Sequence, residues 1–410
     1  MSVEIDGDRL WSRLMEMARL GGFGEGGVNR QALSDEEHAA WAQMIAWGAE
    51  IGLEPSTDAA ANLFLTLPGQ DRSLPPLMAG SHLDSQPTGG RFDGVFGVLA
   101  ALEAVTAMVR AGHRPARDVI VVAWMNEEGS RFAPGMMGSE VFAGVRGIGA
   151  VRAAQDADGI RCGDEIDRIH AAFPAVPERP PFVPLAYVEP HIEQGPVLEA
   201  VGVPIGVVSG IQGKITTEVT LTGQAGHAGT EPMAARRDAV MAFARVASAL
   251  QASVGLADPD IRFTIGRVEV TPNAPSVIAS EVRFRTDLRH PLNDVLDGAS
   301  EVLRQIVERE AAPCEGHVRE LVNAPSNRFD PVLQARIAEA AVAGGHGYRR
   351  MASAAGHDAR HVARLCPSAM IFIPCKGGIS HDPSESATRE HIIAGAEVLL
   401  GVLLASESGM

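Results

Sequence analysis

The sequence predicts an α/β protein into which a second, smaller α+β domain is inserted. Three consecutive segments carry the first part of this prediction: the apolar Met78–Leu83, the helix-periodic Val95–Arg110 and the β-branched run Asp118–Met125. A strand, a helix and a continuously apolar strand form a βαβ unit whose sheet is covered on both faces. Gly112 follows the helix as a plausible C-terminal cap. We therefore expect an α/β sheet in the first third of the chain.

The middle of the chain follows a different pattern, which indicates the inserted domain. After a proline-rich irregular connection at 172–186 and an apolar strand at Gly206–Gly213, polar and apolar residues alternate over Ile215–Thr222, as in a half-exposed antiparallel strand. Two of the segments that follow also alternate, namely Arg262–Val270 and Glu281–Leu288. Two others have helical periodicity, namely Met233–Gln251 and Asn293–Arg309.

The end of the chain again contains helix-periodic and continuously apolar segments, as the first third does. They are Pro331–Ala343, which is helical, and Ser368–Pro374, which is apolar. We therefore predict one domain formed by residues 1–212 and 326–410. The inserted domain would cover 213–325.

Composition narrows the classes of partner. The 410 residues carry a net charge of −16 and only 5% aromatic residues, which argues against a nucleic acid or an anionic membrane as the main partner. There is no apolar run of transmembrane length and no basic start followed by an apolar core, so we expect neither a membrane span nor a signal peptide. Four scattered cysteines are typical of buried thiols in a reducing cytoplasm.

The densest group of polar residues is SHLDSQPTGGRFDG, which contains His82, Asp84 and Asp93. His82 and Asp84 are two residues apart at a strand end, so both side chains can point the same way. A carboxylate such as Asp84 can orient a metal-binding histidine through its second ring nitrogen. The structural alternative is a strand-end histidine and an Asp93 that caps the next helix.

A second group follows the apolar strand, where Glu127 and Glu128 are adjacent. Ligands of open α/β sheets bind beyond the carboxyl ends of the strands. Because adjacent strand residues face opposite ways, one glutamate could bind a cation while the other moves a proton. The alternative is a solvated loop.

His191 and His381 also follow short apolar runs, and each taken alone could be structural. Together with His82, Asp93 and Glu128, they supply enough nitrogen and oxygen ligands for two divalent metal ions. Such ligands suit zinc or manganese.

Eight motifs occur in the same order as in a known family, from about residue 80 to 385. They are SHLDSQPTGGRFDG, NEEGSRFAPGMMGS, HIEQGPVLE, GIQG, GHAGTEPM, DLRHP, AGHDA and GISHDPSE. Together they resemble the amidase/hydantoinase/carbamoylase family. This family consists of dizinc aminoacylase-like hydrolases and includes N-carbamoyl-L-amino acid hydrolases, β-ureidopropionases and allantoate amidohydrolases. The resemblance implies a mixed sheet flanked by helices and an inserted lid or dimerisation domain.

The resemblance also implies roles at the metal site. His82 and His191 would bind one metal ion, Glu128 and His381 the other, and Asp93 would bridge them. Relatives that act as peptidases or aminoacylases usually have an acidic residue at the position of His191. Zn²⁺ is the expected metal, with Mn²⁺ or Co²⁺ as alternatives.

Catalytic and substrate-binding roles follow from the same resemblance. Glu127 would be the general base, Asp84 would orient His82, and His227 would support the oxyanion, often across a dimer interface. Arg289 would pair with the substrate carboxylate, for which the bidentate guanidinium is suited. The other residues expected at the substrate are Gln194, Gln212, Asn273, Gly356 and His357. From the residues alone, Arg289 could instead form a surface ion pair with Asp287, and His227 could simply be exposed.

The predicted function is metal-dependent hydrolysis of the ureido C–N bond of N-carbamoyl-L-amino acids, by a cytoplasmic homodimer acting on a small ureido acid. Domain closure about 210–213 and 325 would bring Asn273 and Arg289 towards the metals. Allantoate amidohydrolase and β-ureidopropionase are the nearest alternatives. An aminoacylase or peptidase is a more distant one. An inert binding module on the same scaffold would lack a ligand or the base, and all of them are present in this sequence.

Overall fold

The chain forms two compact units in a computed structural model that describes residues 3–407. The first unit comprises Met1–Ser209 and Phe329–Met410, and the second comprises Gly210–Arg328. The segment predicted as an insertion, 213–325, lies inside the second unit.

A mixed sheet forms the centre of the first unit. Its strands, in spatial order, are Ile205–Ile211, Ser368–Ile373, Ala186–Ile192, Leu77–His82, Val119–Trp124, Leu63–Leu67 and Glu54–Thr57, with Tyr348–Ser353 paired to the first. The four from Ser368–Ile373 to Val119–Trp124 run parallel, and the outer pairings are antiparallel. The four parallel strands are buried along their whole length, as expected for strands covered on both faces.

Helices cover this sheet. They are Gly7–Met17, Asp35–Ala49, Val95–Arg110, Met137–Phe142, Ile148–Ala153, Cys162–Ala172, Val197–Val201, Pro331–Ala343, Ala359–Val362 and Arg389–Ser406. Val95–Arg110 packs against the strand Leu77–His82 and the helix Arg389–Ser406, which explains why it is apolar on nearly all sides. Within residues 3–407, no helix combines the length and the apolar character needed to cross a bilayer. Two short strands, Gly22–Phe23 and Gly27–Val28, form a separate hairpin.

The second unit is an antiparallel sheet with two helices packed on it. The strand order is Arg262–Thr271, Glu281–His290, Gly213–Thr222 and Glu315–Ala324, and the helices are Ala239–Leu250 and Asn293–Glu310. Gly213–Thr222 alternates between buried and half-buried residues, and its inward side chains join a core that includes Val219, Phe284 and Leu303. Short pieces complete this unit: strands Gly226–His227 and Val277–Ile278, and helical turns Met233–Ala235 and Gln251–Gly255. The strand Asn327–Arg328 pairs antiparallel with Gly210 and Ile211, at the end of the strand Ile205–Ile211, and so extends the mixed sheet.

The α/β fold and the order of the predicted elements are confirmed, and two of the differences lie in the inserted segment. The helix expected from Met233 begins at Ala239, because the carboxylate of Asp238 caps it by accepting hydrogen bonds from the backbone of Val240 (2.9 Å) and Met241 (3.2 Å). The strand Glu315–Ala324 was not predicted. Its residues are mostly exposed, so they lack the apolar alternation that indicates a strand.

Candidate metal and active site

The predicted ligands of the first unit meet at the carboxyl edge of its four parallel strands. His82 ends one strand, Glu127 and Glu128 follow the next, His191 lies near the end of a third, and His381 follows the fourth. Because parallel strands share a carboxyl edge, residues distant in sequence converge there.

His82, Asp93 and His191 form the first of two groups that could hold a metal ion. The Nδ1 atom of His82 lies 2.9 Å from the carbonyl oxygen of Asp84, and that of His191 lies 2.8 Å from the carbonyl oxygen of Ile192. Each Nδ1 therefore carries a proton, so in the neutral ring Nε2 is the atom with the lone pair.

Both Nε2 atoms are buried and face Asp93 Oδ1, at 3.9 Å from His82 and 3.2 Å from His191. In the neutral rings these lone pairs face a carboxylate oxygen in a buried site, an arrangement that a cation between them would stabilise. The donor set and its protonation therefore fit a divalent metal ion.

Asp93, Glu128 and His381 form the second group. His381 Nε2 lies 3.2 Å from Asp93 Oδ2 and 3.3 Å from Glu128 Oε2. Asp93 thus presents Oδ1 to the first group and Oδ2 to the second. Asp93 does not cap the following helix, whose N-cap is Gly94. A side chain at Gly94 would collide with the His82 ring, since an ideal Cβ would lie 2.3 Å from its Cε1.

The carboxylate of Asp84 holds the turn that carries the two glutamates. It accepts hydrogen bonds from the backbone N–H of Glu127 (3.1 Å) and of Glu128 (3.2 Å). Its Oδ1 lies 3.5 Å from His82 Nδ1, farther than the 2.9 Å to the main-chain oxygen of Asp84. Asp84 therefore orients His82 chiefly through its carbonyl group, and its carboxylate positions the neighbouring strand end.

Glu127 lies beside the first group without belonging to either ligand set. Its Oε2 is 3.6 Å from His82 Nε2, and its side chain is 10% exposed. Burial raises the pKa of Glu127 well above its ordinary value, and the carboxylates of Asp358 and Glu128 raise it further, whereas His82 opposes the shift. A nearby cation would favour the ionised form, as a general base requires.

Three predicted substrate residues lie in the same unit. Gln194 donates from Nε2 to Asp93 Oδ2 at 2.9 Å. His357 is buried against His191, with ring centroids 4.5 Å apart, and burial lowers its pKa well below the ordinary value, so it is neutral. Gly356 is exposed, and an ideal Cβ there would lie 3.4 Å from Met136 Cε.

The four remaining predicted residues belong to the second unit. Gln212 is buried, whereas His227 and Asn273 are exposed, and Asn273 adopts a positive φ of 55°. His227 Nδ1 accepts a hydrogen bond from the backbone of Gly229 at 3.0 Å. Arg289 donates from Nε to Asp287 Oδ1 at 2.7 Å, so the ion pair considered from sequence is present.

Three polar residues of the sequence motifs, for which the sequence predicts no role, lie around the ligands. Gln86 donates from its backbone N to Glu128 Oε1 (3.1 Å) and from Nε2 to Glu128 Oε2 (2.7 Å). Ser380 and Glu385 contact the Asp93 loop. A polar residue in a loop is usually exposed to solvent, so the sequence did not indicate that Glu385 is buried. Its burial follows from the fold.

Comparisons with known proteins show which proteins this chain is similar to. Residues 78–405 match the Peptidase family M20/M25/M40. The chain is 40% identical to an N-carbamoyl-L-amino-acid amidohydrolase of Rhizobium meliloti, with 98% of this chain and 96% of that protein covered. It is 35% identical to the allantoate amidohydrolase of Escherichia coli (93% and 94% covered). The crystal structure of an amidase of the hydantoinase/carbamoylase family from Burkholderia multivorans superposes with a TM-score of 0.92 at 41% identity (99% and 98% covered).

Proposed function

The chain belongs to the peptidase family M20/M25/M40, and we propose that it hydrolyses the ureido C–N bond of N-carbamoyl-L-amino acids to the free amino acid, carbon dioxide and ammonia. It is an amidohydrolase of a family that uses divalent metal ions. The observation that carries the proposal is the pair of ligand groups joined through Asp93, with Glu127 beside them.

The proposed site would hold two metal ions, zinc in the first instance. His82, His191 and Asp93 Oδ1 would hold one, and Glu128, His381 and Asp93 Oδ2 the other. Such ions, when bound, polarise a carbonyl group and make water more acidic. Glu127 then takes a proton from the attacking water and passes it to the leaving nitrogen. A histidine at 191, where related peptidases usually carry an acidic residue, favours a ureido substrate.

The second candidate is allantoate hydrolysis, favoured by the 35% identity to the Escherichia coli enzyme. The test is ammonia release by the full-length, metal-loaded protein against N-carbamoyl-L- and D-amino acids, N-carbamoyl-β-alanine and allantoate. We expect the N-carbamoyl-L-amino acids to be turned over fastest and a chelator to abolish the reaction. Preferential turnover of allantoate or N-carbamoyl-β-alanine would reassign the substrate. No release from the panel, with metals bound, would contradict the proposed function.

We further propose that Arg289 binds the substrate carboxylate. A charge-assisted hydrogen bond contributes about 1.5–3 kcal/mol, so Arg289→Ala should lower kcat/KM about 10- to 100-fold, mainly through KM. Arg285→Ala is the matched control, because Arg285 lies on the same strand and pairs with Glu218 (Nε to Oε2, 3.2 Å). Equal kinetics for Arg289→Ala and the unchanged protein would eliminate this role.

Two properties of the proposed enzyme concern its surroundings. All four cysteines are free and buried, which is compatible with the reducing cytoplasm we propose.

A homodimer is proposed from the family resemblance, with His227 of the inserted domain supporting the oxyanion. Analytical ultracentrifugation of the full chain tests this assembly, and a monomer at micromolar concentration would contradict it.

A further inference from the structure

Glu385 is a buried carboxylate that joins the loop of Asp93 to the loop of His381. Its side chain is almost completely enclosed, at 1% exposure. Oε1 accepts hydrogen bonds from the backbone N–H of Phe92 (2.9 Å) and of Asp93 (3.1 Å). Because two donors converge on this oxygen, the orientation of the carboxylate is determined.

The absence of a side chain at Gly90 makes room for this arrangement. An ideal Cβ at that position would lie 2.3 Å from Glu385 Cβ and 2.4 Å from Glu385 Oε1, which no real Cβ tolerates. The glycines on the two sides of Asp93 thus admit different groups: Gly90 admits the Glu385 carboxylate and Gly94 the His82 ring. This close packing allows Glu385 to reach the backbone of the Asp93 loop.

The hydroxyl group of Ser380 lies between Glu385 and Asp93. Its Oγ is 3.0 Å from Glu385 Oε2 and 3.2 Å from Asp93 Oδ2. Gln194 Nε2 lies 3.1 Å from the same Oγ and 2.9 Å from Asp93 Oδ2. A serine has one proton to donate, so it can satisfy only one of the two carboxylates.

The number of lone pairs on Asp93 Oδ2 decides which carboxylate receives the proton. A carboxylate oxygen offers about two acceptor sites. One accepts from Gln194, and the other faces the group of His381 and Glu128, where the second metal ion is proposed. A proton from Ser380 would compete with that ion for the same oxygen.

We propose that Glu385 is a positioning residue that draws the Ser380 proton away from Asp93 Oδ2 and so leaves this oxygen available to the second metal ion. This inference rests on the proposed two-metal site. It assigns a role to Glu385, which touches neither substrate nor metal and acts through Ser380 and the backbone of residues 92–93.

The substitution Glu385→Gln tests this role because it reverses one hydrogen bond. The amide oxygen must remain at the two backbone N–H groups, so the amide nitrogen faces Ser380 and donates to it. The Ser380 proton then turns towards Asp93 Oδ2. Changes around metal ligands typically cost about 10- to 100-fold in affinity, and we expect this loss for one of the two ions only.

The experiment titrates the metal-stripped, full-length protein with Co²⁺ and follows visible absorption, with bound metal counted by mass spectrometry. The unchanged protein should bind two Co²⁺ ions, and Glu385→Gln should bind the second about 10- to 100-fold more weakly. The double variant Ser380→Ala/Glu385→Gln lacks the misdirected proton and should recover most of this affinity. Ser380→Ala alone should bind both ions. Glu103→Gln is the matched control, since Glu103 is a buried carboxylate that pairs with Arg9 of the helix Gly7–Met17 and belongs to neither ligand group.

Recovery in the double variant would support the inference, because a merely structural defect at 385 would persist there. Equal Co²⁺ binding by Glu385→Gln and the unchanged protein would overturn it, and so would a double variant as weak as the single one. The proposed function is judged separately. If two Co²⁺ ions bind and the variants behave as expected but no ureido acid is hydrolysed, only the substrate assignment fails.

Discussion

Replacing Glu127 by glutamine should lower kcat by about 10²- to 10⁴-fold, the usual contribution of a general acid–base, while the metal content stays unchanged. Glutamine has nearly the same shape but cannot accept a proton from water. Glu127 belongs to neither ligand group, and the carboxylate of Asp84 would still hold its backbone. Ammonia release at saturating substrate measures kcat, and mass spectrometry measures bound metal.

The Glu103→Gln substitution is the control here as well, and it should leave kcat and metal content near their original values. If Glu127→Gln retained near-normal turnover with metals bound, the proton-transfer role would have to move to another residue. Loss of metal together with activity would place Glu127 among the ligands instead.

The substitution Asp93→Ala should remove both metal ions and lower turnover by at least about 10³-fold. Asp93 presents one carboxylate oxygen to each ligand group, so its loss would deprive both proposed ions of a ligand. Metal ions contribute several kcal/mol to such reactions, and each 1.4 kcal/mol corresponds to about a tenfold change in rate. Metal content and ammonia release are measured on the same preparation.

His191→Ala serves as the graded comparison for Asp93→Ala, because His191 belongs to only one ligand group. This substitution should lower the affinity for one proposed ion and leave the other ion bound. If Asp93→Ala also kept one ion bound tightly, Asp93 would not bridge two sites. A circular dichroism spectrum like that of the unchanged protein shows that either variant is folded.

The sequence by itself determined the class of fold and the types of residue at the site. Apolar runs and helical periodicity are local signals, so Leu77–His82, Val95–Arg110 and Val119–Trp124 could be predicted within a residue or two. Because ligands of open α/β sheets bind beyond the carboxyl ends of the strands, the positions of His82 at a strand end and Glu128 after the next strand predicted a shared site. The order of motifs then indicated the family, which the comparisons confirm.

Only the tertiary structure decided which partners these residues have. Nothing in the local sequence indicates that the Asp84 carboxylate holds the backbone of Glu127, or that Glu385 reaches the Asp93 loop nearly three hundred residues away. The exposed strand Glu315–Ala324 likewise forms only because Gly213–Thr222 offers its backbone. The physical reason is the same in each case. Hydrogen bonding and burial depend on groups that are distant along the chain, whereas periodicity and turn signals depend on neighbours.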